Sequence, residues 1–98
     1  MKPIRNELIN VSTTSREIAP DLEGLDTRTD IIIRNSSADP ADIITLSLGK
    51  NKAVSKEGIV LQQNEVWLNS TDISNPCWNG AIQAICATVN GKLSIMEK

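Results

Sequence analysis

The residue types that most enzymes use for proton transfer and metal binding are scarce in this chain of 98 residues, which contains no His and two Cys. An imidazole is the usual general base, and it takes part in Ser-His-Asp triads and in many zinc sites. Two Cys cannot complete a structural zinc site made of thiolates alone. We therefore expect the protein not to be an enzyme and to carry no metal and no cofactor.

One acidic segment does offer oxygen ligands. Asp21, Glu23, Asp26 and Asp30 follow one another closely, and calcium loops place carboxylates at such alternating spacings. The remainder of an EF-hand loop is missing, so a solvated acidic loop is the favoured interpretation. Paired carboxylates also serve glycoside hydrolysis, but two Trp without Tyr or Phe are a poor supply of rings for a sugar-binding cleft.

The two thiols, Cys77 and Cys86, lie nine positions apart, one in a loop that contains Pro76 and one in an apolar stretch. We favour two reduced, partly buried thiols, because no export signal is visible in residues 1–7. A disulfide that fastens the loop to the strand is the alternative. Without a Cys-x-x-Cys motif, a redox role is not expected.

The charge distribution argues against nucleic-acid binding, and the hydropathy argues against a membrane-spanning helix. The net charge is -2, and the densest basic group, residues 50–56, is followed at once by Glu57. Nucleic-acid surfaces combine a basic patch with stacking aromatic rings, which this chain lacks. No stretch approaches the roughly 20 apolar residues that a membrane helix needs.

The apolar residues favour strands. Half of the 26 large aliphatic residues are Ile, which suits a pleated, half-buried surface. We predict a single antiparallel β-sandwich or jelly-roll-like domain over residues 1–98, with residues 1–12 as a short N-terminal arm. A short helix beginning at Ser15 is the main alternative to the second strand. The predicted strands are 8–11, 13–19, 29–35, 42–49, 58–61 and 65–69, followed by a hairpin over 81–96.

That hairpin rests on Asn90-Gly91, because both residues accept the positive φ of a type I′ turn. The resulting register places one face in the core: Ile82, Ala84, Cys86, Leu93 and Ile95. The second face carries Ile85, Ala87, Val89 and Met96 among polar residues, and it is more apolar than a solvated exterior. We expect a second sheet layer or another chain to cover it.

The two Trp are the only large rings available. We expect Trp67 in the core or on a sheet, with Val66 and Leu68 on the opposite face. Trp78 follows Pro76-Cys77 in a loop, where it could plug one end of the sandwich or anchor an interface, a place in which Trp is enriched.

From Asp30 to Lys98 the chain resembles a type of small virion protein of tailed bacteriophages. The resembling segments are strand-and-turn patterns. They are Ile31-Ile32-Ile33-Arg34-Asn35-Ser36-Ser37, Ile43-Ile44-Thr45-Leu46-Ser47-Leu48-Gly49, Gly58-Ile59-Val60-Leu61 and Trp78-Asn79-Gly80-Ala81-Ile82-Gln83-Ala84-Ile85. One departure is visible: Gln63-Asn64 stands where such proteins often have Pro-Gly, although Asn can meet the same backbone need.

The resemblance implies a β-sandwich module that decorates or cements a capsid, or builds a head fibre or tail appendage. It implies binding to the major capsid protein or another virion protein, self-association as a dimer or trimer, synthesis in the host cytoplasm and location in the phage particle. Residues 1–29 match nothing in that class and could form an arm that wraps a neighbouring subunit. The alternatives are a module that recognises a carbohydrate or a host protein, and an inhibitor of a host protein. The expected interface residues are Ile4, Leu8 and Ile9 in the arm, the loop residue Trp78, and Ile85, Ala87, Val89 and Met96 on the second face.

Overall fold

The protein is an all-β domain of eight strands in a computed structural model that describes residues 5–20, 28–70 and 77–98. No membrane-spanning helix occurs within those three ranges. Predicted strand positions agree with the structure, although several bounds differ, and Arg16–Ala19 is a strand and not the start of a helix. The strands are β1 (Arg5–Val11), β2 (Arg16–Ala19), β3 (Asp30–Asn35), β4 (Ile44–Leu48), β5 (Ile59–Leu61), β6 (Val66–Ser70), β7 (Ile82–Cys86) and β8 (Gly91–Glu97).

The strands form two four-stranded antiparallel sheets, which we name sheet A, in the order β1-β8-β3-β6, and sheet B, in the order β2-β7-β4-β5. The first strand pairs with the last, the second with the seventh, the third with the sixth and the fourth with the fifth. A long antiparallel hairpin wound into two sheets produces this order, and the arrangement is a jelly roll. The predicted fold class is therefore confirmed.

Alternation along the strands creates the core between the sheets. In sheet A, Ile31, Ile33, Leu93 and Ile95 point inward and are fully buried. Sheet B contributes Ile44, Leu46, Ile82, Ala84 and Cys86 from its inner face. The core face predicted for residues 82–95 is thus confirmed, because all five of its members are buried.

The predicted hairpin at Asn90-Gly91 is wrong. β7 belongs to sheet B and β8 to sheet A, so residues 87–90 carry the chain from one sheet to the other. Among the described residues, positive φ occurs at Gly49, Lys56, Gly58 and Asn64 only, which excludes a type I′ turn here. Glycine serves close packing instead, since a Cβ on Gly91 would lie 2.6 Å from the carbonyl oxygen of Val11 and 2.7 Å from Cys86 Sγ.

Residues 5–11 of the expected arm are an integral strand. β1 pairs with β8 along its whole length, from Arg5 opposite Glu97 to Val11 opposite Gly91. Its inward side chains Ile9 and Val11 belong to the core. Most of the expected arm therefore contributes to the domain itself, and Ile4 lies outside the described residues.

Candidate functional site

Arg28 and Glu97 form a buried ion pair at one end of the sandwich. The side chain of Arg28 is 1% exposed, and its Nε donates to Glu97 Oε2 at 2.5 Å. Its remaining donors reach main-chain oxygens: Pro20 at 2.8 Å, Gly80 at 3.1 Å and Trp78 at 3.3 Å. One guanidinium thus fastens the segments before β7 and after β2 to the last strand.

Arg5 completes this cluster from the neighbouring strand. Its guanidinium donates to Glu97 Oε1 at 3.0 Å and to the carbonyl of Ile18, in sheet B, at 2.9 Å. Burial disfavours the ionised form of Glu97, but the hydrogen bonds and charges of Arg28 and Arg5 outweigh burial and lower its pKa. Burial likewise works against the charge of Arg5, and its two carboxylate partners, Glu7 and Glu97, raise its pKa. The bonds of Arg28 and Arg5 to Glu97 and to main-chain oxygens connect separate segments of the domain, which favours a structural role for the cluster.

Asn35 plays the corresponding role at the opposite end. Its fully buried side chain donates to the carbonyl oxygens of Asp42 at 2.8 Å and Leu61 at 2.9 Å. Its Oδ1 accepts from the N–H of Ser37 at 3.1 Å. Asn35 ends a strand of sheet A. It binds the main chain just before β4 and at the end of β5, which lie side by side in sheet B, so it links the two sheets.

Two open depressions lie at these ends of the molecule. The larger, of about 540 Å³, is bounded by the 38–42 and 88–92 segments. Its two carboxylates are already engaged: Asp42 accepts from the Thr88 hydroxyl, and Asp39 accepts from the N–H of Ala41 at 2.8 Å. The smaller, of about 300 Å³, lies beside Arg5 and Glu97. The carboxylates of Asp39 and Asp42 and the Arg5–Glu97 pair are thus engaged within the protein itself.

Metal-binding clusters are not found in the described part of the chain. Of the acidic group considered for calcium, Asp21, Glu23 and Asp26 lie outside that part. Asp30 opens β3, where its carboxylate accepts from the Thr29 hydroxyl at 3.3 Å. Cys77 and Cys86 are buried and are not joined by a disulfide, as the favoured interpretation predicts.

Both Trp rings are half-buried and pack against the core. The indole N–H of Trp78 donates to the carbonyl of Ala81 at 3.3 Å, and its main-chain N–H donates to Asn69 Oδ1 at 2.8 Å. This geometry favours the plug over the interface anchor for Trp78. Trp67 faces inward as predicted, while Val66 and Leu68 face outward and are 52% and 46% exposed.

The predicted second-face patch is divided between the two sheets. Ile85 lies on the outer face of sheet B, whereas Met96 lies on the outer face of sheet A, so they face opposite sides of the sandwich. Ala87 and Val89 belong to the connection between them, and Val89 is 70% exposed. These four residues therefore do not form one surface. The correction follows from the sheet crossing at residues 87–90.

An apolar surface does exist on the outer face of sheet A, and sequence reasoning missed its centre. Cross-strand register places Met96, Ile32 and Leu68 side by side on three adjacent strands. We call these three residues the apolar row. Val66 is one row away on β6, and Leu8, 61% exposed, lies on β1 in that same adjacent row. Of the predicted interface residues, Leu8 and Met96 are thus on one surface, whereas Ile9 is buried in the core.

The outer face of sheet B is covered in part by the protein itself. The β4–β5 connection crosses this face, with the N–H of Ala53 bonded to Ser15 Oγ at 2.8 Å and that of Lys56 to Thr45 Oγ1 at 2.9 Å. Thr45, which faces outward from β4, is consequently fully buried, and Ala53 is 4% exposed. The two outer faces therefore differ, and the open apolar one belongs to sheet A.

Comparison of the chain with protein-family models, with curated proteins and with solved structures found no match.

Proposed function

We propose that the protein is a non-enzymatic structural component of a phage particle, a decoration or cement protein that binds a virion protein through the outer face of sheet A. The observation that carries the proposal is the apolar row of Met96, Ile32 and Leu68 on the sheet face that no loop of the described chain crosses. Apolar patches on a soluble domain, when rimmed by polar groups, are typical of protein-binding sites.

The rim of this surface is polar, as in most protein interfaces. Arg34 lies between Val66 and Ser94, and Asn6 flanks Met96 on the edge strand. Arg34 is steadied by a hydrogen bond from its guanidinium to Asn64 Oδ1 at 3.2 Å. An apolar row with one fixed cation beside it suits a partner surface that is apolar with a nearby carboxylate or carbonyl group.

The fold adds general support, because jelly rolls build viral capsid proteins as well as lectins and cupins. The resemblance to small virion proteins covers residues 30–98, which span β3 to β8. A decoration protein occurs in many copies, so weak individual contacts add up to persistent attachment. The carbohydrate alternative requires an exposed Trp ring, whereas both rings here are half-buried and pack against the core, which disfavours that alternative.

The proposal is tested on particles of the phage that encodes the chain. We expect the protein at high, fixed copy number in purified particles, and rebinding of purified protein to particles that lack it. Ile32→Lys should weaken rebinding by about tenfold or more, as substitutions at the centre of an interface do. Absence of the protein from particles, with no rebinding, would overturn the assignment.

Ile85→Lys is the matched control. Ile85 is also a half-buried Ile on the outer face of a central strand, but in sheet B. Lys can keep its aliphatic stem on the sheet while its ammonium reaches water, so both variants should fold. Loss of rebinding in Ile85→Lys with retention in Ile32→Lys would assign binding to the other sheet and overturn the surface proposed here.

A further inference from the structure

The four edge strands of the two sheets are unequally protected against pairing with another chain. Natural proteins protect edges by short strands, bulges, charged residues or covering groups. β5 has three residues, and β2 has four with a register irregularity between Glu17 and Ala19. β1 carries Arg5 and Glu7, and the carbonyl of Asn10 accepts from the Arg16 guanidinium at 3.0 Å.

Within the part of the chain that the structure describes, β6 shows none of these protections. Its sequence is Val-Trp-Leu-Asn-Ser, without charge or proline, and it pairs with β3 through five consecutive residues without a bulge. Two of its outward side chains, Val66 and Leu68, are about half exposed. An apolar, regular and open edge is a template for a further strand.

Successive residues of a strand direct their main-chain N–H and C=O groups alternately to its two sides. This alternation shows which groups of β6 point away from β3. Asp30 and Lys98 exchange both main-chain hydrogen bonds, at 3.2 and 2.9 Å, so even-numbered residues of β3 point toward β8. Odd-numbered residues of β3 then point toward β6, where the register pairs Ile33 with Trp67. On β6 the N–H and C=O groups of Val66 and Leu68 consequently point away from the sheet. Outside the sheets, no hydrogen bond of the described residues uses them.

We infer that two copies of this protein pair antiparallel through β6 about a two-fold axis at Trp67. An antiparallel edge is complementary to itself, and two-fold contacts are the commonest form of self-association. In this register Val66 of each copy faces Leu68 of the other, and four main-chain hydrogen bonds form. Ser70, the third residue with outward main-chain groups, is 7% exposed, and the register leaves it out of the pairing.

Side chains agree with a second copy as the occupant. Leu68 ends the apolar row at the edge of sheet A, and in the dimer Val66 of the partner subunit extends that row across the axis. β6 is uncharged, and Glu65 faces the neutral Asn69 of the partner subunit, so no like charges oppose each other. The two copies of sheet A become one continuous eight-stranded sheet with a joined outer face.

The inference makes specific the self-association that the resemblance to small virion proteins implies, and the purified protein tests it without any particle, so its failure is separate from failure of the proposed function. We expect a dimer in sedimentation over a concentration series. Leu68→Pro removes an outward N–H, which an edge strand tolerates, and should make the protein monomeric. Leu8→Pro makes the same change on β1, where Leu8 also points its N–H away from the sheet, and should leave the dimer intact. A wild-type monomer, or equal loss in both variants, would overturn the inference, and circular dichroism confirms that each variant is folded.

Cysteine cross-linking tests the register without weakening the strand. Val66→Cys and Leu68→Cys proteins, mixed and oxidised, should form mixed disulfide dimers, because facing Cα atoms about 5.5 Å apart suit a disulfide. Each variant alone should cross-link at least about tenfold less. The native Cys77 and Cys86 are buried and should not contribute. Stronger cross-linking within either single variant than in the mixture would overturn the register.

Discussion

Arg28 lies just before strand β3 and Asn35 is its last residue, and the two fasten the sheets together at opposite ends of the sandwich. Arg28 binds the carboxylate of Glu97 in sheet A and main-chain oxygens that adjoin sheet B. Asn35 ends β3 and binds the carbonyls of Asp42 and Leu61 next to sheet B. The apolar core between them consists mainly of aliphatic side chains, which have little directional preference. The two polar residues therefore hold the sheets in one relative position.

Asn35→Ala should lower the free energy of unfolding by about 3 kcal/mol. It removes the three hydrogen bonds that this buried side chain makes to the carbonyls of Asp42 and Leu61 and to the N–H of Ser37, and each is worth roughly 1 kcal/mol. Urea unfolding followed by Trp fluorescence measures the loss. Asn6→Ala, at an exposed position of β1, is the control and should change stability by less than about 0.5 kcal/mol. Equal effects of the two substitutions would contradict the role of Asn35.

Stability should fall in acid as Glu97 takes up a proton. Its pKa is lowered in the folded protein from the ordinary value of 4.5, so the unfolded chain binds this proton first. The contribution of Glu97 is complete above pH 4.5 and is lost as pH falls through the lower pKa of the folded state. Unfolding measured from pH 7 to pH 3 should show this decline, and Glu97→Gln should flatten it.

The exposed residue Glu57 provides the comparison for that experiment. Glu57→Gln removes a carboxylate without touching the cluster of Arg5, Arg28 and Glu97, and it should leave the acid decline in place. Arg28→Ala should destabilise the protein by about 3 kcal/mol at neutral pH, because it removes the more deeply buried of the two cations that neutralise Glu97, leaving Arg5 alone, and takes a donor from the main-chain oxygens of Pro20, Trp78 and Gly80. A neutral outcome for Arg28→Ala would show that the pair contributes nothing to stability.

Substitution by Ala should lower stability strongly at Gly91 and hardly at all at Asn90. Gly91→Ala forces a Cβ to 2.6 Å from the Val11 carbonyl, and such overpacking costs about 3 kcal/mol. Asn90→Ala should cost less than about 0.5 kcal/mol, because Asn90 is exposed and its φ is not positive. In a type I′ turn the Asn90 change would be costly. Thermal unfolding of the two variants distinguishes the sheet crossing from a hairpin.

Cys77 and Cys86 should react with a thiol reagent only when the protein unfolds. Both are 1% exposed, and a buried thiol is shielded from attack. We expect two equivalents of thiol in urea and almost none in native buffer, with identical migration on gels with and without reductant. Rapid labelling of either thiol in native buffer would show that its surroundings open.

Local patterns were sufficient to predict the strands and their inward faces. Ile31 and Ile33 alternate into the core, and Asn64 has the predicted left-handed conformation, with φ of 67°. The predicted pairing of β7 with β8 was wrong because an Asn-Gly dipeptide can occur for either of two structural reasons. The dipeptide allows positive φ, but Gly91 is required here for its missing Cβ. The carbonyl of Val11 that approaches it comes from a segment eighty positions earlier, and no local pattern contains that information.

The apolar row was missed for the same reason. Met96, Ile32 and Leu68 lie on three strands that are far apart in sequence, and their adjacency follows from register alone. The prediction instead joined Ile85 to Met96 through the assumed hairpin. The buried ion pair of Arg28 and Glu97 could not be predicted either, because the two residues are far apart in the sequence.

The pairing of the first strand with the last constrains when this protein can fold. β8 lies between β1 and β3 in sheet A, so β1 has no strand partner and β3 can pair only with β6 until β8 has been synthesised. Sheet-crossing connections reinforce the delay, since only β4 and β5 are joined within one sheet. Folds dominated by such distant pairings form slowly. Between the synthesis of β6 and that of β8, the nascent chain therefore carries the unprotected β6 segment without a complete sheet A, which makes this segment a natural site for chaperone binding or premature aggregation.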